Sequence, residues 1–96
     1  MRKSYFVYII TNYKNSVFYT GMTNDLNARI YQHKKGLVKN SFSKRYNLYK
    51  LVWFEEFRDS TETIVAEKRI KDMRREKKLK LIKIKNPNFS DLYRLC

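Results

Sequence analysis

Two short runs of β-forming residues, separated by a single polar stretch, restrict what the start of this chain can become. "SYFVYIIT" (residues 4–11) and "SVFYTGMT" (16–23) are rich in aromatic and β-branched types, and the "NYKNS" between them has the Asn, Lys and Ser content of a turn. The pattern predicts a β-hairpin with Tyr8 and Tyr19 on facing strands and Gly21 just beyond. In "NDLNARIYQHKKG", Asn24 or Asp25 can cap a helix start and Gly36 can supply the left-handed residue at its end. "LVKNSFSKRYN" (37–47) keeps no period and is expected to be a basic, exposed loop, followed by a third strand in "LYKLVWFEEF".

Asp59 and Glu62 stand at capping-box spacing before "TIVAEKRIKDM", which predicts a second helix. "RREKKLKLIKIK" is expected to extend the helical region, continuous or kinked, and to stop at Asn86, because the residue before Pro87 is pushed out of the helical region. The order β-β-α-β-α-α predicts an α+β fold. Its small three-stranded sheet, mixed or antiparallel, is built from the hairpin plus the third strand and flanked by helices.

Ninety-six residues suit one domain with one core, so residues 1–96 are expected to form a single domain. Lys and Arg total 22 against nine Asp and Glu, a net charge of +13 that points to a polyanionic partner. No apolar run is long enough to span a bilayer or to serve as a secretory signal, so a cytoplasmic location and no membrane association are expected. The lone Cys96 has no partner for a disulfide, and no Cys/His cluster suggests zinc.

At 100° per residue, Arg29 and His33 border the apolar edge formed by Leu26 and Ile30. Arginine there can simply cover apolar surface with its stem, but paired with His33 one turn on it could also meet an anion. Glu67 is expected between Ile64 and Ile70 on the buried side of its helix. A carboxylate so placed needs either an ion pair or a metal, and magnesium typically takes one or two carboxylates with water and phosphate oxygens. Residues 68–85 hold ten Lys and Arg against Asp72 and Glu76. That run is either a solvated helix face or a track for a phosphate backbone. On the second reading Lys34, Lys35, Lys44, Arg45, Lys71, Arg74, Arg75, Lys77 and Lys78 contact nucleic acid.

The phrase "VYI", eleven residues from its tyrosine to that of "YTG", and an arginine eight after the glycine resemble the GIY-YIG nuclease superfamily. The likeness is closest to small single-domain members related to the nuclease module of the UvrC excinuclease. It runs through "FYTGMTNDLNARIYQH", "AEKRIKDMRREKKLKLI" and "NPNFSDL". The resemblance implies a DNA endonuclease, with a repair-related or structure-selective role, that uses one Mg²⁺ or Mn²⁺. It implies that Tyr8 and Tyr19 shape the nucleophile side, Arg29 stabilises charge on the phosphate, and Glu67 holds the metal. His33 resembles an accessory position after the arginine, and Asn86 a polar residue near the end. Gly21 is expected to leave room for the chain that turns into the arginine helix. Phe6 replaces the first motif's glycine and Thr20 the second motif's middle residue; neither change removes a candidate catalytic group.

The competing reading is a non-catalytic basic module that binds nucleic acid, RNA included, on the same fold. Which tyrosine acts as base stays open, since a free phenol with a pKa near 10 must be perturbed to work at neutral pH. Specificity is expected from DNA shape, from the 37–47 loop or from a protein partner.

Overall fold

A computed structural model of the chain describes residues 3–38 and 41–93. Part of the expected 37–47 loop (Lys39 and Asn40) and Cys96 lie outside the described residues. The order is β1 (Tyr5–Thr11), β2 (Phe18–Thr23), α1 (Leu26–Lys34), α2 (Ser41–Arg45), β3 (Lys50–Phe57), α3 (Ser60–Lys71) and α4 (Arg75–Lys85). The three strands form one antiparallel sheet in the order β2-β1-β3, which is the α+β architecture expected.

The hairpin is closed by Asn12, whose Oδ1 accepts from the backbone N–H of Ser16 at 2.8 Å and of Val17 at 3.3 Å. Asn15 turns the chain with φ 55°, a conformation that asparagine tolerates better than most residues. Side chains then alternate across the sheet. Val7 and Ile9 pack with Ala66, Ile70, Ile82 and Phe89 under α3 and α4, whereas Tyr8 and Ile10 pack with Leu26, Ile30, Leu48 and Leu51 under α1. Each fully buried aliphatic side chain contributes roughly 1.5–3 kcal/mol. A register shift between Ile9 and Ile10 opposite β3 lets Val52 and Trp53, neighbours in sequence, join the same core.

The helix starts follow the capping residues. Asp25 accepts from Ala28 N–H and Asp59 from Glu62 N–H, each at 3.1 Å. Gly36 takes φ +68° after α1. One expectation changes. The segment read as an exposed loop contains α2, and it buries Ser43. The helical region after Asp59 is divided into two helices, as the order β-β-α-β-α-α has it, between Asp72, which caps α3, and Arg74, which precedes α4. No local sequence signal marks that break. It lets Ile82 of α4 reach the core already occupied by Ala66 and Ile70 of α3.

Candidate active site

Tyr8 pairs across the strands with Gly21, and Ile10 with Tyr19. Directly opposed residues of an antiparallel pair share a face, so Tyr8, Tyr19 and Gly21 all lie on the side of α1. A Cβ added to Gly21 would come within 2.6 Å of the Tyr8 hydroxyl oxygen, 2.7 Å of Tyr8 Cζ and 3.0 Å of Tyr19 Cε2. The glycine therefore makes room for the Tyr8 ring, where room for the turn into α1 was expected. The two phenol rings are tilted at 44° with centroids 6.4 Å apart.

Helix α1 buries Leu26, Ile30 and His33, and Arg29 stays partly exposed beside them. His33 is held at both ring nitrogens. Nε2 shares a 3.0 Å hydrogen bond with the Tyr8 hydroxyl, and Nδ1 a 3.0 Å hydrogen bond with Ser43 Oγ from α2. The imidazole also packs against both phenols, at 5.7 Å from Tyr8 and 5.9 Å from Tyr19. Burial and then the nearby Arg29 charge push its pKa down to about 4 from 6.5, so His33 is neutral at pH 7. A neutral imidazole carries one donor and one acceptor, and the two hydroxyls complement either tautomer.

Tyr8 is only 1% exposed. Burial raises its pKa well above the usual phenol value, and the charges of Tyr19 and Glu67 add to the rise while Arg29 opposes it. Groups from β2, α1 and α3 thus act electrostatically on one oxygen of β1.

Glu67 is placed differently from the expectation. Ile64, expected to be buried beside it, is 55% exposed, and the buried stripe of α3 is Thr63, Ala66 and Ile70. The helix turns Thr63, fully buried, toward the sheet and leaves the neighbouring isoleucine to solvent. Glu67 borders that stripe with its side chain 22% exposed, in a loose 3.7 Å ion pair with Lys71 one turn on. Both readings of this carboxylate, ion pair and metal ligand, are compatible with the contact. Among the described residues no three His, Cys, Asp or Glu side chains gather to enclose a metal. Glu67 by itself offers one hard oxygen donor, of the kind magnesium takes when water and phosphate oxygens fill its other positions.

The basic residues do not form one stripe. Lys34 forms an ion pair with Asp91 and lies over the rings of Tyr49 and Tyr93. Lys35 lies over Tyr31, Arg45 over Tyr46 and Arg75 over Phe18, and Lys44 packs along Gly36. The α3–α4 break divides the remainder. Arg74 and Lys77, with Arg69, line a cavity of about 550 Å³ at that junction. Lys71 and Lys78 line another of about 360 Å³ beside Tyr19. Asn86 is buried away from the tyrosines: its Nδ2 donates to the carbonyls of Val52 (3.0 Å) and Ser90 (2.9 Å), and its Oδ1 accepts from Ser90 N–H at 3.0 Å.

Sequence reasoning missed Ser43 and Phe42, which α2 carries to opposite sides of the same contact. Phe42 packs on Tyr19 at 6.1 Å and on Tyr46 at 4.9 Å. The spacing of Phe42 and Tyr46, one helical turn apart, was the available signal, but five helical residues are too few for periodicity to stand out.

Comparison with known proteins adds a family. The model of the GIY-YIG catalytic domain matches residues 4–80. UPF0213 proteins of Staphylococcus aureus strains Mu3 and N315 are each 38% identical over 80 residues, covering 83% of this chain and 95% of theirs. The solution NMR structure of a UPF0213 protein from Bacillus halodurans superposes with a TM-score of 0.58 at 27% identity, over 96% of each chain.

Proposed function

This chain belongs to the GIY-YIG catalytic domain family, and from that premise we propose that it is a divalent-metal-dependent endonuclease that hydrolyses phosphodiester bonds in DNA. The observation that carries the reading is the cluster around the Tyr8 hydroxyl: His33 Nε2 is hydrogen-bonded to it at 3.0 Å, the Tyr19 ring packs against both Tyr8 and His33, and Arg29 lies partly exposed one turn before His33 on α1.

In hydrolysis a water oxygen bonds to phosphorus, the bond to the bridging oxygen breaks, one proton leaves the water and one reaches the departing alkoxide. Arg29, only partly buried at the rim of this cluster, is suited to the non-bridging oxygens, where negative charge grows in the transition state. Tyr19, partly exposed, is the phenol that can orient the attacking water, with Tyr8 buried behind it. His33 keeps the Tyr8 hydroxyl pointing in a fixed direction, and Ser43 keeps the imidazole from rotating. Glu67 is the residue to hold Mg²⁺ or Mn²⁺; when bound, such an ion polarises phosphate oxygens and offsets the carboxylate charge that raises the Tyr8 pKa. Lys71 can release Glu67 at little cost, since an exposed ion pair at 3.7 Å contributes at most about 1 kcal/mol.

The test is cleavage of duplex, single-stranded, branched and damaged DNA, and of RNA, with and without Mg²⁺ or Mn²⁺. Metal-dependent products from any DNA form are expected. Salt-sensitive binding with no cleavage of any substrate would establish a non-catalytic binding module instead.

A further inference from the structure

We propose that the outer flank of α3, from Phe57 to Lys77, is a docking groove for an acidic segment of a partner protein that also carries apolar side chains. This face lies outside the candidate active site, and the inference does not depend on the endonuclease reading. Two cavities form the groove. One, of about 300 Å³, is lined by Phe57, Thr61, Glu62, Val65, Ala66 and Arg69. The other, of about 550 Å³, is lined by Arg69, Asp72, Met73, Arg74 and Lys77. Arg69 belongs to both, so they run end to end along the helix. From Thr61 to Asp72 the chain rises roughly 16 Å at about 1.5 Å per residue, a length that suits a stretch of polypeptide better than a compact small molecule.

The helix separates this groove from the tyrosines. With the fully buried Thr63 set at 0° and about 100° per residue, Glu67 and Lys71 fall at about 40° and 80°, whereas Val65, Arg69 and Glu62 fall at about 200°, 240° and 260°. The buried stripe of Thr63, Ala66 and Ile70 lies between the two sets. An occupant of the groove therefore leaves Glu67 and the cavity beside Tyr19 open.

Floor and rim differ in chemistry. The surface inside both cavities is mostly carbon. Phe57 and Met73 contribute to it as the partly buried margin of the core under α3 and α4, and Val65 adds an aliphatic side chain that is 62% exposed. Methionine in such a place adapts to side chains of different shape. Around this floor stand Arg69, Arg74 and Lys77, whose side chains make no hydrogen bond or ion pair among the described residues. Asp72 is the acidic residue beside them and Glu62 stands in the smaller cavity, so positive charge is concentrated at the α3–α4 junction. Carboxylates of a partner meet the three cations there, and its apolar side chains cover Phe57, Val65 and Met73, the combination of charge steering and buried anchors that gives a peptide site its specificity. A phosphate backbone would answer the cations and leave the carbon floor uncovered.

The test is selection from a displayed library of random peptides on the intact protein, followed by anisotropy of a labelled, enriched peptide and by mapping of amide chemical shifts. Enriched sequences are expected to combine Asp or Glu with Leu, Phe or Trp, and their binding to move the amides of Val65, Arg69, Met73 and Arg74. Val65→Glu and Arg69→Glu, both at exposed positions, should each weaken the peptide about fivefold or more, as loss of an interface anchor does. Lys35→Glu, an equal charge change at the end of α1 across the sheet, should leave the affinity close to the wild-type value. A library without enrichment, or peptides that Lys35→Glu weakens as much as Arg69→Glu, would overturn the groove. So would a DNA duplex that moves the Val65 and Met73 amides and displaces the peptide, a result that would make this face part of the nucleic-acid surface.

Discussion

The Tyr8 hydroxyl occupies the space that a side chain on Gly21 would need. A Cβ there would be 2.6 Å from the oxygen, and Tyr8 is too enclosed to swing aside. Gly21 is required for its absent side chain and not for an unusual backbone angle. Gly21→Ala is expected to destabilise the protein by about 1–3 kcal/mol through overpacking. It should also displace the phenol from His33, lowering cleavage at temperatures where the variant is still folded. Thermal denaturation alongside cleavage rates checks both; a variant with unchanged melting and rate would contradict the packing.

His33 gives stability a specific pH dependence. Its folded pKa, about 4, lies below the 6.5 of a free imidazole, so the unfolded chain binds more protons between those values. The contribution is complete above about pH 6.5 and is lost as pH falls toward 4. The size is on the order of 2–3 kcal/mol for a shift of this extent. Denaturant titrations from pH 7 to 4.5 should show a steeper loss in the wild type than in His33→Gln; parallel curves would rule out a buried neutral imidazole.

Ser43 is expected to matter through His33 alone. Ser43→Ala leaves the buried Nδ1 without its 3.0 Å partner, a loss of about 1–3 kcal/mol. The nitrogen chemical shifts of the imidazole should change in the same variant, reporting an altered tautomer balance, and Ser43→Thr should restore them. A stability loss with unchanged shifts would show that the serine acts on packing only.

Arg29→Ala should reduce cleavage a hundredfold or more, about 3 kcal/mol of transition-state stabilisation. Glu67→Gln should abolish metal-dependent cutting. Both should retain most DNA affinity in chelator, since the cationic surface remains. Efficient cutting by Glu67→Gln would remove this residue from the metal site.

Asn86 makes three hydrogen bonds that tie the end of α4 to β3 and to the following turn. Asn86→Ala is expected to cost about 2–3 kcal/mol, with unsatisfied buried backbone groups as the cause. Below its melting temperature the variant should cleave at close to the wild-type rate. A large rate loss in a fully folded variant would instead give Asn86 a part in the chemistry.

The hairpin, the starts of α1 and α3 and the end of α1 were legible because each depends on residues within a few positions of one another. Asn12 closes its own turn, Asp25 and Asp59 cap helices three residues ahead, and Gly36 supplies the left-handed angle after α1. The spacing of Tyr8, Tyr19 and Arg29 was legible for a related reason, since strand pairing and one helical turn convert short separations into fixed positions.

What lay beyond reach of the sequence was which surface each helix turns inward and what arrives from a distance. The Ile64 side of α3 reads as core by composition, yet Thr63 is the residue enclosed, because the sheet accepts a small side chain there. Ser43 completes the contact from Tyr8 through His33 although α2 is too short to announce itself. The basic run reads as one stripe until the break after Asp72 sends Lys71 and Lys78 toward Tyr19 and Arg74 and Lys77 elsewhere. Local sequence sets backbone conformation through interactions a few residues long. The partners of a buried side chain are chosen by the packing of elements far apart in the chain, and only the folded sheet with its helices in place decides them.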